Sequence, residues 1–325
     1  MPSAIWIAWE NQIRNKTLSR RLGVELHVLS SKRTRLMRYA VCVPKSAMLI
    51  WRCRPSVVFA PNPSIVLTYL LMLLKYVFRY RFVTDAHYAG IVAPHGNKLF
   101  QKALDFCNRQ ADLVIVTNEE HGKHVEAVGG RALVCEDPLP DITRYARTVS
   151  EQSKKVFFIC SFDIDEPYAN AFQAAKILQE EGYVFWVSGN FSKVGIVPAE
   201  WPHVKFLGYV PEADFYSHLA ESQVVVDLTI QENCLLCGAY EAMVLDKPLV
   251  TSKTSALQRY FTGGTVFVDH KAESIVDGVR FAYEKRGELK VQIAKWKSQV
   301  VTDNAGKIET IRAMLNLVQQ ETGYR

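Results

Sequence analysis

The chain has 325 residues, 49% hydrophobic and 22% charged, with a formal net charge of +6. That is room for two domains of ordinary size, and it excludes a disordered polymer. Seven cysteines, an odd number without framework spacing, exclude a disulfide scaffold and fit reduced thiols in a cytoplasmic protein.

Met1 to Trp9 is too short and too quickly polar for a signal peptide. Ala4 to Ala8 reads as a first strand, followed by the polar turn Glu10-Asn11-Gln12. A helix with Ile13, Leu18 and Leu22 on one face stops at Gly23, and Val24 to Leu29 reads as a second strand. A basic helical region follows. Between Lys32 and Arg54 lie Lys32, Arg33, Arg35, Arg38, Lys45, Arg52 and Arg54, with no acid. They alternate with Leu36, Met37, Tyr39, Met48, Leu49, Ile50 and Trp51. Such a segment suits the surface of an anionic membrane, and equally a solvated basic face. No nucleic-acid module accompanies it, so no nucleic-acid partner is expected.

Val57 to Ala60 is a third strand, closed by Pro61-Asn62-Pro63. The apolar run Ile65 to Leu74 falls short of the ~20 residues that span a bilayer and reads as a buried helix. Arg81 to Tyr88 is a strand that delivers Asp85 and His87 to its end. A helix over Leu99 to Arg109, the strand Leu113 to Val116, a helix over Glu119 to Val128 and a strand Ala132 to Cys135 complete the first half. The polar run from Ser150 to Lys155 reads as a linker, giving domains 1–150 and 151–325. Up to Ser150 there are 21 Lys and Arg against 11 Asp and Glu, about +10; the remainder has 18 against 22, about −4.

A second alternating series begins with Val156 to Cys160 and continues through a helix (Tyr168 to Glu181) and a strand (Tyr183 to Ser188). Gly189-Asn190, the strand Val204 to Leu207 and the helix Glu212 to Ala220 follow. Next comes VVVDLTIQENCLLCGAYEAMVLDKPLVTSKTSALQRYFTGGTVFVD, from Val224 to Asp269. It reads as strand, polar turn, a helix from Leu235 to Leu245, an apolar run, a small-residue turn from Thr251 to Ser255, another helix and the strand Thr265 to Val268. Helical sequence finishes the chain. Alternation throughout indicates parallel sheets covered on both faces.

In this stretch, Gly238-Ala239-Tyr240-Glu241-Ala242-Met243 and Asp246-Lys247-Pro248-Leu249-Val250 carry a resemblance. They are similar to the donor-nucleotide site of family 4-like GT-B glycosyltransferases, which have two glutamates with seven residues between them. Glu232 has eight residues before Glu241, and Asn233 stands at the family spacing. Either Asn233 replaces the first acid, or an insertion lets Glu232 serve. The resemblance implies an α/β fold of GT-B type, two Rossmann-like domains facing each other across a cleft. It also implies a final helix returning to the first domain, with Leu315 to Gln320 packed there.

Further implications of the resemblance concern the site. Glu241 would hold the donor ribose, two hydroxyls matching two acceptor oxygens. Glu232 or Asn233 would hold the donor sugar, although either residue also suits a helix cap. Thr254, Ser255 and Lys253 would meet the diphosphate at a helix start, and Asn190 would line the same donor site. The family's usual Arg and Lys after the first strand of this domain are replaced by the acidic run Ser161 to Glu166. Lys193, Lys253, Arg259 or Arg14 would supply the missing cation. Asp85 and His87 would face the acceptor hydroxyl as catalytic residues, with Asn11 and Arg14 lining the cleft.

Asp163-x-Asp165 and His121-x-x-His124 invite a metal reading, yet Asp165 before Glu166-Pro167 is more simply a helix start. The resemblance implies no metal and no cofactor, the co-substrate being a UDP- or GDP-sugar. It points to a retaining glycosyltransferase, and the basic first domain suggests a saccharide or lipid-linked acceptor of bacterial surface polysaccharide synthesis, with the chain peripheral on the inner membrane face. A nucleotide-sugar epimerase and a non-catalytic nucleotide-sugar-binding or partner subunit remain open. An NAD-dependent dehydrogenase is disfavoured, because neither half has G-x-G-x-x-G after its first strand.

Overall fold

The computed structural model describes residues 4–30, 34–150 and 152–317. They fall into two compact units. One runs to Pro138 and resumes at Thr302; the other is Leu139–Val301. The division precedes the polar run at Ser150, because Leu139, Ile142 and Tyr145 pack into the core of the second unit. Lys32, Arg33 and residues 318–320, named above, lie outside the described residues, as do the side chains of Ile13 and Arg35.

The first unit is built from β1 (Ala4–Ala8), α1 (Ile13–Leu22), β2 (Glu25–Val28), α2 (Arg35–Cys53), β3 (Val57–Asn62) and α3 (Ile65–Phe78). It continues with β4 (Arg81–Ala86), α4 (Tyr88–Ile91), α5 (Lys98–Gln110), β5 (Leu113–Val116), α6 (Glu119–Ala127) and β6 (Ala132–Val134). All strands pair in parallel, in the order β2-β1-β3-β4-β5-β6. Such strands are apolar on both faces, because helices cover both. Ile5, Ile7, Val58 and Ala60 pack with α2 and α3. Ala4, Trp6, Val57 and Phe59 pack with α1, and the Trp6 and Phe59 rings stack at 5.2 Å.

Of the strand ends that differ from the sequence reading, two bear on the candidate residues. β3 runs on through Pro61 and Asn62, which pair with Asp85 and Ala86. A proline is tolerated there because pairing to β1 has stopped at Phe59. β4 ends at Ala86, so His87 lies beyond it, at the cap of the short helix α4. Gly90 of that helix presses on the Asn62 carbonyl, where a Cβ would sit 2.5 Å from the oxygen.

The second unit holds β7 (Lys155–Ile159), α7 (Tyr168–Gln179), β8 (Val184–Ser188), β9 (Val204–Gly208), α8 (Glu212–Ala220) and β10 (Val224–Asp227). Then come α9 (Cys237–Val244), β11 (Leu249–Ser252), α10 (Ser255–Tyr260), β12 (Thr265–Val268), α11 (Ala272–Glu284) and α12 (Arg286–Leu315). Its parallel order is β12-β11-β10-β7-β8-β9. In α12, Ile293, Trp296 and Val300 join the second core, while Ile308, Ile311 and Leu315 join the first. The Arg81 guanidinium donates to the carbonyls of Met314 (2.9 Å) and Leu315, a cation on the orphan acceptors of a helix end.

After β8 the chain turns at Gly189, with φ +96°, against the backbone of Cys160; an added Cβ would lie 1.9 Å from its carbonyl oxygen. Neither the backbone angle nor the space suits another residue. Gly189→Ala is expected to destabilise the protein by more than about 1 kcal/mol, read as a lowered denaturation midpoint. A midpoint equal to wild type would show that the β7 and β8 loops can part there.

Candidate functional site

In the second sheet the strand order reverses between β7 and β10, and the loops leaving their carboxyl ends part to opposite faces. Ligands of open parallel sheets bind at such a point. Here the two loops are tied together. The Thr229 hydroxyl donates to Asp165 Oδ2 at 2.6 Å, and the Ile230 N–H donates to the Asp165 carbonyl at 2.8 Å. Glu166 turns back over the β7 loop, accepting the N–H groups of Ser161 and Asp163, each at 2.9 Å, and the Ser161 hydroxyl. Phe162, in left-handed backbone at φ 59°, lets those N–H groups converge. An internal carboxylate therefore takes the donors that end β7. Asp163 pairs with the ammonium of Lys193, which holds its carboxyl below the usual range. Asn190, exposed in the turn after β8, precedes that lysine.

β10 ends in a buried acid. Asp227 is 4% exposed, and its Oδ2 has no hydrogen-bond partner among the described residues. Gly238, at the start of α9, lies over that oxygen; a Cβ there would stand 2.5 Å from it. Burial, then the like charges of Glu166 and Glu241, push the Asp227 carboxyl well up, although it accepts the Ala239 N–H. Glu241 lies one turn into α9, where it accepts the Tyr216 hydroxyl of α8 at 3.2 Å. Burial raises its carboxyl to about 7, against the opposing pull of that hydrogen bond.

Glu232, Thr254 and Ser255 come together at the start of α10. The Glu232 carboxylate accepts the Ser255 N–H at 3.1 Å, and Thr254 caps the same helix by accepting the Leu257 N–H. Glu232 thus caps α10 rather than α9, which begins at Cys237. Asn233 is half-buried and Lys253 exposed. Ser252 is a β11 residue, not part of the turn, and its Oγ accepts the Thr229 N–H at 2.9 Å. Lys247, two residues past α9's cap, is buried and faces away from this edge. Its ammonium donates to the carbonyls of Ala220 (2.5 Å) and Ser222 (2.9 Å) at the end of α8, and burial lowers it to about 8.

In the first unit a buried ion cluster joins α1, β4 and the segment after β6. Arg14 is 5% exposed. Its guanidinium donates to Asp85 (2.8 and 3.0 Å), to Asp137 (2.9 Å) and to the Cys135 carbonyl (2.8 Å). Burial pushes the Asp137 carboxyl up, but the charges of Arg14 and His87 outweigh it, and the group ends below its ordinary value. Asp85 is fully buried, whereas the His87 side chain is a third exposed, with Nε2 3.7 Å from Asp85 Oδ2. So Asp85 and Arg14 hold the edge, and His87 and the exposed Asn11 are presented by it. His121 and His124 are divided between partners. His121 is buried, with Nδ1 against Asn118 (3.2 Å) and Thr117, and burial lowers it to about 4. His124 faces Asp105 at 2.8 Å.

Sequence reasoning passed over Tyr216, Asp227 and the Asp165–Thr229 tie. Only Asp227 left a signal, a single acid closing the apolar run Val224–Val226. Two outcomes are expected. Folding raises the Glu241 carboxyl from 4.5 to about 7, so the stability it contributes is present below pH 4.5 and lost as pH rises through 7. Against Glu241→Gln in chemical denaturation, wild type should lose on the order of 3 kcal/mol over that interval; parallel profiles would show that Glu241 ionises freely. Arg14→Met should cost about 3–5 kcal/mol by stranding buried Asp85, and an unchanged midpoint would remove the cluster's structural role.

Residues 169–306 match a family model described as Glycosyl transferase-like. No curated protein sequence matches the chain. Among solved structures it is similar to HepE from Anabaena in complex with UDP, with 16% identity and a TM-score of 0.69 over 96% of this chain and 100% of that one. It is similar to sucrose-phosphate synthase from Thermosynechococcus elongatus, with 13% identity and a TM-score of 0.75 over 97% and 99%. UDP-GlcNAc 2-epimerase from Methanocaldococcus jannaschii is similar at 11% identity, with a TM-score of 0.61 over 97% and 100%. The fold, two six-stranded parallel sheets with flanking helices, is that of GT-B glycosyltransferases.

Proposed function

We propose that the chain is a glycosyltransferase that moves a sugar from a UDP- or GDP-sugar to a saccharide or lipid-linked saccharide. One observation carries this reading. Glu241 lies one turn into the helix that starts beside the β7–β10 switch point, inside the segment that matches the Glycosyl transferase-like model. HepE, of the same fold, was solved with UDP and with UDP-glucose. In this proposal the Glu241 carboxylate accepts the ribose hydroxyls, displacing the Tyr216 hydroxyl or sharing with it. Glu232 or Asn233 holds the donor sugar. Thr254, Ser255, Lys253 and Asn190 line the donor site, without metal or cofactor.

The proposed reaction breaks the bond from the anomeric carbon to the diphosphate and forms one to the acceptor oxygen, with retention. The acceptor proton passes to the leaving phosphate. His87 orients the acceptor hydroxyl, and Asp85, itself held by Arg14, positions His87. The acceptor belongs to bacterial surface polysaccharide synthesis at the inner membrane face, where the chain is peripheral. The fold shared with UDP-GlcNAc 2-epimerase supports a second reading, a nucleotide-sugar epimerase. The acidic edge Asp163, Asp165, Glu166 and Asp227 supports a third, a non-catalytic subunit.

Thermal denaturation against a panel of nucleotides and nucleotide sugars tests the donor site, since binding the folded state alone raises the midpoint. A rise with UDP or GDP and one cognate sugar is expected, and Glu241→Ala should abolish it. Conversion of the bound sugar without acceptor would replace transfer by epimerisation. No rise with any nucleotide would remove the donor site and leave the non-catalytic reading.

A further inference from the structure

We infer that α2 and α3 of the first unit together form a docking surface for an anionic lipid bilayer. α2 is apolar on two opposite faces. Tyr39, Cys42, Val43, Leu49 and Ile50 point inward to the core. Leu36, Ala40, Pro44, Met48 and Trp51, three or four residues apart, point outward along one stripe. Leu36 is 79% exposed, Met48 58% and Trp51 59%. α3 packs beside α2 and repeats the pattern with the exposed Val66, Leu73 and Val77. Leu73 is 61% exposed and Val77 71%. Scattered exposed apolar residues need no account, but two adjacent helical stripes of them do.

The charged residues that α2 and α3 themselves carry are all basic, two of them paired with acids of other elements, Arg38 with Glu10 and Lys75 with Asp112. Lys45 and Arg52 flank the stripe of α2, and Arg54 and Arg79 lie just past the ends of the two helices, all exposed. The Arg54 guanidinium sits over the Phe78 ring at 5.5 Å, joining those ends. From Leu26 to Thr84 the sequence has ten Lys and Arg and no Asp or Glu. A solvated basic face would be polar throughout, and here large apolar side chains stand outward beside the exposed cations. A second copy of the chain would set cation against cation across the contact. Anionic lipid meets both features, its acyl boundary taking the stripes and its headgroups the rim. No helix among the described residues is long and apolar enough to cross a membrane, so this surface would lie on the bilayer.

This inference deepens the membrane part of the proposed function and rests on that reading, but not on glycosyl transfer. Its test contains no nucleotide and therefore fails or succeeds separately. The full chain is sedimented with vesicles of phosphatidylcholine alone and of equimolar phosphatidylcholine and phosphatidylglycerol. Binding should be at least about tenfold tighter to the anionic vesicles. It should fall at least about tenfold in M48S/W51S/L73S/V77S and in K45E/R52E, with melting temperatures unchanged because all six side chains are exposed. Brominated acyl chains should quench tryptophan fluorescence, and W51F should remove the quenching. Equal binding to both vesicles, no binding to either, or binding that ignores the substitutions would overturn the proposal. So would a dimer that M48S/W51S dissolves, which would assign the face to a second copy.

Discussion

Every strand in both sheets runs parallel, and from this one constraint the placement of chemistry follows. Each loop that leaves a strand emerges at the same edge of its sheet, however far apart the segments lie in sequence. Arg14 meets Asp85 across 71 positions, and Tyr216 meets Glu241 across 25. The two edges are balanced in different ways. In the first unit a guanidinium lies between two carboxylates, and that edge is balanced in part from within. In the second, Asp165, Glu166, Asp227 and Glu241 gather with hydroxyl and backbone N–H partners in place of cations. Burial makes Asp227 and Glu241 bind their protons more tightly than in water, and Glu241, at about 7, sits where its charge depends on what approaches.

The buried cations show why a motif residue need not belong to a site. Lys247 stands in the part of the sequence that most resembles a nucleotide-sugar enzyme, yet its ammonium closes the end of α8. Two orphan carbonyls at a helix end accept a cation well. Arg14 is similar, being enclosed by its acceptors. Both residues fix where neighbouring elements end. α8 in turn carries Tyr216, so the lysine acts on Glu241 only through the position of a helix.

The fold was legible because buried parallel strands are continuous apolar runs and the helices between them alternate polar and apolar faces. Ala4–Ala8, Leu113–Val116, Glu212–Ala220 and Thr265–Val268 have in the structure the bounds their sequence predicts. Ends were less legible where a strand outlasts its apolar run, as at Pro61-Asn62 and Thr251-Ser252, because pairing with a neighbour decides them. Residue types at the candidate site were legible in part. Glu241 stood out by its context, but which donor each acid accepts was not, since Asp165–Thr229 and Glu232–Ser255 form only once the strand order is set.

The two-faced α2 departs from the usual logic of a surface helix, and its composition follows from that. A helix needs one apolar stripe to pack on a sheet, and the opposite face normally stays polar to remain in water. Tyr39, Cys42, Val43, Leu49 and Ile50 seat α2 in the core it shares with β1, β3 and α3. Folding of the first unit therefore does not require Leu36, Met48 or Trp51 to be apolar, and exposing them gains nothing in the folded chain alone. The same holds for Leu73 and Val77, since Leu67, Leu71 and Met72 already seat α3. Two neighbouring helices with this surplus, among ten cations and no acid from Leu26 to Thr84, are the pattern that the proposed lipid surface, apolar and anionic at once, would select.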